Sequence, residues 1–216
     1  ELGVIFDGLA DPLQPVLAVA FSSTCKGLRT PLVAALEVLK ERHERAVALC
    51  CKVGTSFASL RDAERPFLYS KEPLTADDMA TLGMILRTNG LPRLQELCVV
   101  SNGFGDAGVK GLCDGLGHGA APSLRDVHLD GNMIGSEGAE AVAAALRRGA
   151  MPRLEVLSLT DNPIGSQGMA ALATPLRKLT VLKRLSLVYC GIDDEGFTSL
   201  VGNLGKDDLK ALEKLE

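Results

Sequence analysis

Apolar and polar positions follow two rhythms along the last two-thirds of the chain, and the rhythms take turns. In "MPRLEVLSLTDNPIGSQGMAALATPL" the leucines Leu154, Leu157 and Leu159 stand three and then two residues apart. A polar turn with Asn162 and Ile164 follows, and then Gly168, Leu172 and Leu176 recur every fourth residue. Short-range alternation turns one face of a strand inward, and a spacing of four turns one face of a helix inward. The stretch therefore predicts strand, turn, helix. About 30 residues upstream the template recurs as Leu124, Val127, Leu129, Asn132, Ile134, Gly138, Val142 and Leu146. One period earlier it is Leu94, Leu97, Val99, Asn102, Phe104, Gly108, Leu112 and Leu116. Downstream, at about 28 residues, come Leu182, Leu185, Leu187, Cys190, Ile192, Gly196, Leu200 and Leu204, and a further copy opens at Leu212 and Leu215. Each unit is too small to bury its own apolar face, so the units must stack on one another.

These residues resemble the leucine-rich repeat family, in its long ribonuclease-inhibitor-like class. The resemblance implies an α/β solenoid, a horseshoe with a parallel sheet on its concave side and helices on its convex side. Asn102, Asn132 and Asn162 fall where each strand turns away, where a buried amide can bridge the backbone of adjacent turns. Cys190 takes that place in the last full copy, an exchange the family tolerates. Alanine-rich segments such as "EAVAAALRR" let convex helices approach closely.

Before Leu94 the template decays. Phe67, Tyr69, Leu74, Leu82 and Leu86 still fit, but Glu72 replaces the asparagine and Asp78 the glycine, as in a terminal capping repeat. Further upstream, Thr30 reads as an N-cap, Pro31 as the first helical residue and Gly54 as the stop of a long helix. Leu32, Leu36, Leu39, His43, Ala46 and Cys50 form its apolar stripe, with Glu41–Arg45 and Lys40–Glu44 pairs outside. His43 is expected to pack at a helix interface, and Cys50 to be buried beside an exposed Cys51. A shorter helix from Pro12 or Pro15 to near Gly27 would complete a helical hairpin over the open end of the solenoid. The expected organisation is an N-terminal helical cap over residues 1–63 and repeats over 64–216: a degenerate repeat at 64–93, four regular repeats at 94–211 and a truncated one at 212–216.

Composition narrows the function. A net charge of −4 and 4% aromatic residues lack the basic, stacking surface that nucleic acid requires. The six cysteines form no C-x-x-C pair, so neither a zinc site nor a disulfide framework is indicated and a reducing, cytoplasmic setting is expected. The apolar run around "LQPVLAVAF" falls short of the roughly 20 residues that cross a bilayer, so no membrane insertion is expected. The chain starts at Glu1 rather than methionine and is expected to be a monomeric piece of a longer protein.

Residues between the strand leucines point away from the core, and stacking aligns them in rows roughly 4.8 Å apart. The first row is Glu96, Asp126, Val156 and Arg184, and the second is Cys98, His128, Ser158 and Ser186. The third is Val100, Asp130, Thr160 and Val188, flanked by Ser101, Asp161 and Tyr189. Asp126, His128 and Asp130 alternate as metal ligands might, yet successive ones stand nearly 7 Å apart along a strand, so no metal site is expected. Cys98 beside His128 has the composition of a nucleophile and its base, but an open sheet offers no oxyanion donors and does not exclude water. The expectation is a non-catalytic interaction module, without cofactor, that binds a protein partner through this mixed polar face. Two alternatives carry specific features. The run "LADPLQPVLAVAFSSTCKGLR" loosely resembles part of an F-box, which implies a substrate adaptor of a ubiquitin ligase. Ran GTPase-activating proteins carry this repeat type, which implies a regulator of a small GTPase.

Overall fold

The alternating leucines become strands and the four-spaced residues become helices. A computed structural model describes residues 19, 26–66, 68, 70–88, 91–117, 120–202 and 204–216. Its elements run α1 (Lys26–Lys52), α2 (Phe57–Asp62), α3 (Ala76–Arg87), β1 (Glu96–Cys98), α4 (Gly105–Gly115), β2 (Asp126–His128), α5 (Ser136–Arg147), β3 (Val156–Ser158), α6 (Gly165–Arg177), β4 (Arg184–Ser186), α7 (Asp194–Val201) and β5 (Lys214–Leu215). The strands form one parallel sheet in the order β1-β2-β3-β4-β5. Parallel neighbours need a crossover, and each crossover here is one helix of the opposite layer. Strands lie about 4.8 Å apart and packed helices 8–10 Å apart, so stacking bends the layers with the sheet on the inner, concave side.

The core lies between the layers. Leu97, Val127, Leu157 and Leu185 project into it from the strand centres, and Leu112, Val142, Leu172 and Leu200 meet them from the helices, all buried. The template glycines let adjacent helices close on this core. A Cβ on Gly138 would lie 2.5 Å from Asp106 Oδ1 and 2.8 Å from Val109, and one on Gly196 2.9 Å from Ser166 Cα. The tightest seam joins α3 and α4, where a Cβ on Gly115 would sit 1.9 Å from the Gly83 carbonyl oxygen.

The turns after the strands are held by the asparagines. Asn162 Oδ1 accepts from the Asn132 and Ile134 N–H groups at 2.9 and 3.0 Å, while its Nδ2 donates to the Leu129 and Leu159 carbonyls at 2.9 and 2.8 Å. Asn132 likewise accepts from the Asn102 N–H at 2.9 Å and donates to the Val99 carbonyl at 2.7 Å. Asn102 accepts from the Leu74 N–H at 2.8 Å, extending the ladder into the degenerate repeat. Each amide thus ties its own turn to the one before it. Cys190 keeps one strand of this pattern, its thiol donating to the Leu159 carbonyl at 3.1 Å.

At the N-terminal end α1 packs against α3 and α2. Leu39, Ala46, Leu49 and Cys50 are its buried face, and Cys51 is exposed. His43 lies edge-on to Phe57 of α2, with ring centroids 5.1 Å apart. The helix ends at Lys52, and in the turn beyond it Gly54 has a φ of +66°, reached without steric cost by glycine alone, so that the Thr55 N–H returns to the Cys50 carbonyl at 2.9 Å and the Gly54 N–H to the Cys51 carbonyl at 3.2 Å.

The structure corrects several expectations. α1 starts at Lys26, so Thr30 is not its N-cap and Pro31 lies in its second turn. Proline there removes a single intrahelical donor and leaves the preceding turn helical. α2 escaped detection, being six residues long. Leu204 is no frame residue: α7 stops at Val201, Gly202 takes an extended conformation, and Leu204 is 46% exposed. The shorter helix of the expected hairpin and the F-box-like run fall almost wholly before Lys26 and, like Phe67 and Tyr69, lie outside the described residues.

Candidate functional site

The concave sheet face collects the variable residues in the rows their spacing predicts. Strand register places Glu96 beside Asp126, Asp126 beside Val156, Val156 beside Arg184 and Arg184 beside Lys214. Cys98, His128, Ser158 and Ser186 form the next row in the same register. Beyond the strands the ladder continues through backbone bonds from Ser101 N–H to Asp130, Gly131 N–H to Thr160 and Asp161 N–H to Val188, at 2.8 to 2.9 Å. Val100, Asp130, Thr160 and Val188 therefore form a true third row.

The rows differ in how far their polar groups are already engaged. Asp130 Oδ1 accepts from the Ser158 hydroxyl and from the Thr160 N–H, the latter at 2.8 Å. Thr160 Oγ1 and Ser186 Oγ are 2.9 Å apart and share a hydrogen bond. Asp130, Ser158, Thr160 and Ser186 thus satisfy one another and form a rigid polar floor. In the first row Glu96 pairs with Arg65 at 3.3 Å and Lys214 with Glu216 at 2.7 Å. Between them, Asp126 and Arg184 have no ion pair or side-chain hydrogen bond among the described residues.

Four residues at the rim share an unusual backbone. Ser101, Gly131, Asp161 and Tyr189 precede Asn102, Asn132, Asn162 and Cys190, and all have φ between 54° and 64°. This left-handed step turns the chain from strand to helix layer once per repeat. It also lifts the Tyr189 ring outward, where it is 83% exposed.

A family model described as Leucine Rich repeat matches residues 92–113, 120–143, 151–173 and 178–201. The chain is a leucine-rich repeat protein. The four matched segments begin at or just before Leu94, Leu124, Leu154 and Leu182 and end within α4, α5, α6 and α7, so each covers one strand, turn and helix. No curated protein matches the chain. Repeats of this family serve as protein–protein interaction modules, and no helix among the described residues is long and apolar enough to cross a membrane.

The leucine-rich repeat frame separates the groups that resembled chemistry. Cys98 and His128 are neighbours in register, but burial and the charges of Glu96 and Asp130 raise the Cys98 thiol above its usual range, away from the reactive thiolate. Asp130 spends its Oδ1 on the polar floor, and no group of three His, Cys, Asp or Glu among the described residues could hold a metal ion. Cys113 is pushed up to about 12 by burial and is equally unsuited to nucleophilic work.

Three features were missed in the sequence. Lys214 extends the first row, because two residues of a fifth strand suffice to set its register. Arg125, Glu155 and Lys183, each one residue ahead of its strand, form a charge ladder with Glu155 accepting from both cations, Lys183 at 2.6 Å. Asp106 of α4 caps the next helix, accepting from the Gly135 and Gly138 N–H groups at 2.7 and 2.9 Å. The alternation of signs in the ladder was visible in the repeat alignment. The cap was not, since it joins different positions of successive repeats.

Proposed function

We propose that this leucine-rich repeat protein acts as a non-catalytic docking module whose concave sheet face binds a protein partner. The observation that carries this reading is the division of labour on that face. Asp130, Ser158, Thr160 and Ser186 of the second and third rows hold a preorganised, internally satisfied floor, and the first row, the end of the third row and the rim leave Asp126, Arg184, Val188 and Tyr189 available. A surface that keeps its shape loses little entropy on binding, and exposed aromatic and arginine side chains are the residue types that dominate interface energetics. Affinity purification with wild-type protein and with an Asp126→Arg, Tyr189→Ala double variant tests it. Loss of specific partners from the variant supports the concave site, whereas identical recovery of every partner removes it. The adaptor and GTPase-regulator alternatives gain no specific observation from the described residues.

A further inference from the structure

Resting on the concave face as the binding surface, we infer that its occupant is an amphipathic helix lying across the strands, with opposite charges seven residues apart and an apolar residue between them. Asp126, Val156 and Arg184 stand side by side on β2, β3 and β4. The acid and the base are two strand spacings apart, about 10 Å, with an apolar side chain midway. Among the described residues both charges lack a partner, while the charged groups around them have one: Glu96 with Arg65, Lys214 with Glu216, and Glu155 with Arg125 and Lys183. The vacancy therefore selects for a cation over Asp126 and a carboxylate over Arg184.

The spacing chooses the conformation of the occupant. In a helix, positions i and i+7 face the same way and lie about 10.5 Å apart, and i+3 or i+4 falls about 5 Å along, over Val156. In an extended segment, residues on one face repeat every second position, at about 6.6 or 13 Å, and neither matches. The neighbouring row is built for a wide occupant as well. Ser158 and Ser186, beside Val156 and Arg184, are short, and the larger His128 borders the Asp126 end, so a rod about 10 Å across can settle against the sheet over the β3–β4 side of the first row.

Selection from a displayed library of helical peptides, randomised along one face and presented to the intact protein, tests the inference. Enriched peptides should carry Lys or Arg at i and Asp or Glu at i+7, or the reverse order in a helix docked the other way round. Asp126→Arg and Arg184→Asp should each weaken such a peptide at least tenfold in a fluorescence-anisotropy titration. The double swap should restore binding to within a few-fold, because the same helix can dock reversed, and loss of fold cannot give that rescue. Binders that lose affinity on the concave variants but show no charge opposition at i and i+7 would overturn the helix and leave the concave site standing. Binders indifferent to both variants would remove the site itself, and a library without enrichment also counts against the helix.

Discussion

The second and fourth repeats follow one template and reach different physical states. In the second, Asn132 is fully buried with four hydrogen bonds, Leu129 and Ile134 are buried, and α5 runs for 12 residues. In the fourth, Cys190 makes one short contact, Leu187 and Ile192 are half-buried, α7 stops after 8 residues and Phe197 is 50% exposed. The difference lies in the neighbours. Every frame residue of the second repeat has a packed repeat on both sides, whereas beyond the fourth repeat the described chain adds a two-residue strand. A template match therefore marks a candidate for burial, and stacking decides how much stabilisation that position supplies.

The largest expected contrast is at the turn residues. Asn162→Ala strands two buried N–H groups and the Leu129 carbonyl, each worth about 1–3 kcal/mol unless water reaches it, so a loss on the order of 4 kcal/mol is expected. Cys190→Ala removes one thiol contact and should cost on the order of 1 kcal/mol. Urea-unfolding midpoints compare the two, and equal losses would erase the contrast between central and terminal turns. Next come the strand centres. Leu157→Ala empties a fully enclosed site and should cost about 3 kcal/mol. Leu215, 37% exposed, should cost less than about 1 kcal/mol by the same change.

A smaller effect separates two glycines that end one helix. Gly115→Ala would drive a methyl group into the Gly83 carbonyl of α3, and an overpacked contact of this kind costs about 1–3 kcal/mol. Gly117→Ala meets nothing within 4 Å and should change stability by no more than about 0.5 kcal/mol. Thermal melts distinguish these outcomes, and a benign Gly115→Ala would show that the α3–α4 seam yields easily.

Periodic features were legible because they repeat. The strand leucines, the packing glycines, the asparagine positions and the rows of the concave face all follow from one period applied along the chain. Features that tie one repeat to the next at unlike positions were not. The hydroxyls of Ser158 and Thr160 looked available for binding, but the neighbouring strands consume them through Asp130 and Ser186. Tyr189 gave no hint of its left-handed backbone, because a bulky residue is a poor candidate for that conformation and only its place before Cys190 demands it. The start of α1 was misplaced because Thr30–Pro31 is a strong local signal for a helix start, and the chain ahead of it is helical as well.

Asp78 offers the finest test of the rule that neighbours decide. It stands where the later repeats carry glycine, and a template-guided repair would be Asp78→Gly. Here the flanking element is the end of α1 rather than another repeat, and Lys52 reaches Asp78 at 2.6 Å. Asp78 also closes a capping box with Thr75 at the start of α3. The substitution should therefore destabilise, by about 1 kcal/mol, the usual worth of a helix cap. Burial alone would raise the Asp78 pKa, but the hydrogen bonds from Lys52 and Thr75 outweigh it and hold the carboxyl below its ordinary value. A carboxyl lowered in the folded state stabilises fully above its unfolded pKa, and that contribution fades as pH falls through the folded value. The stability difference between wild type and Asp78→Asn should accordingly be constant near neutrality and shrink below about pH 4, where the unfolded carboxyl begins to take up its proton. A difference that persists unchanged into strong acid would assign the effect to side-chain shape rather than charge.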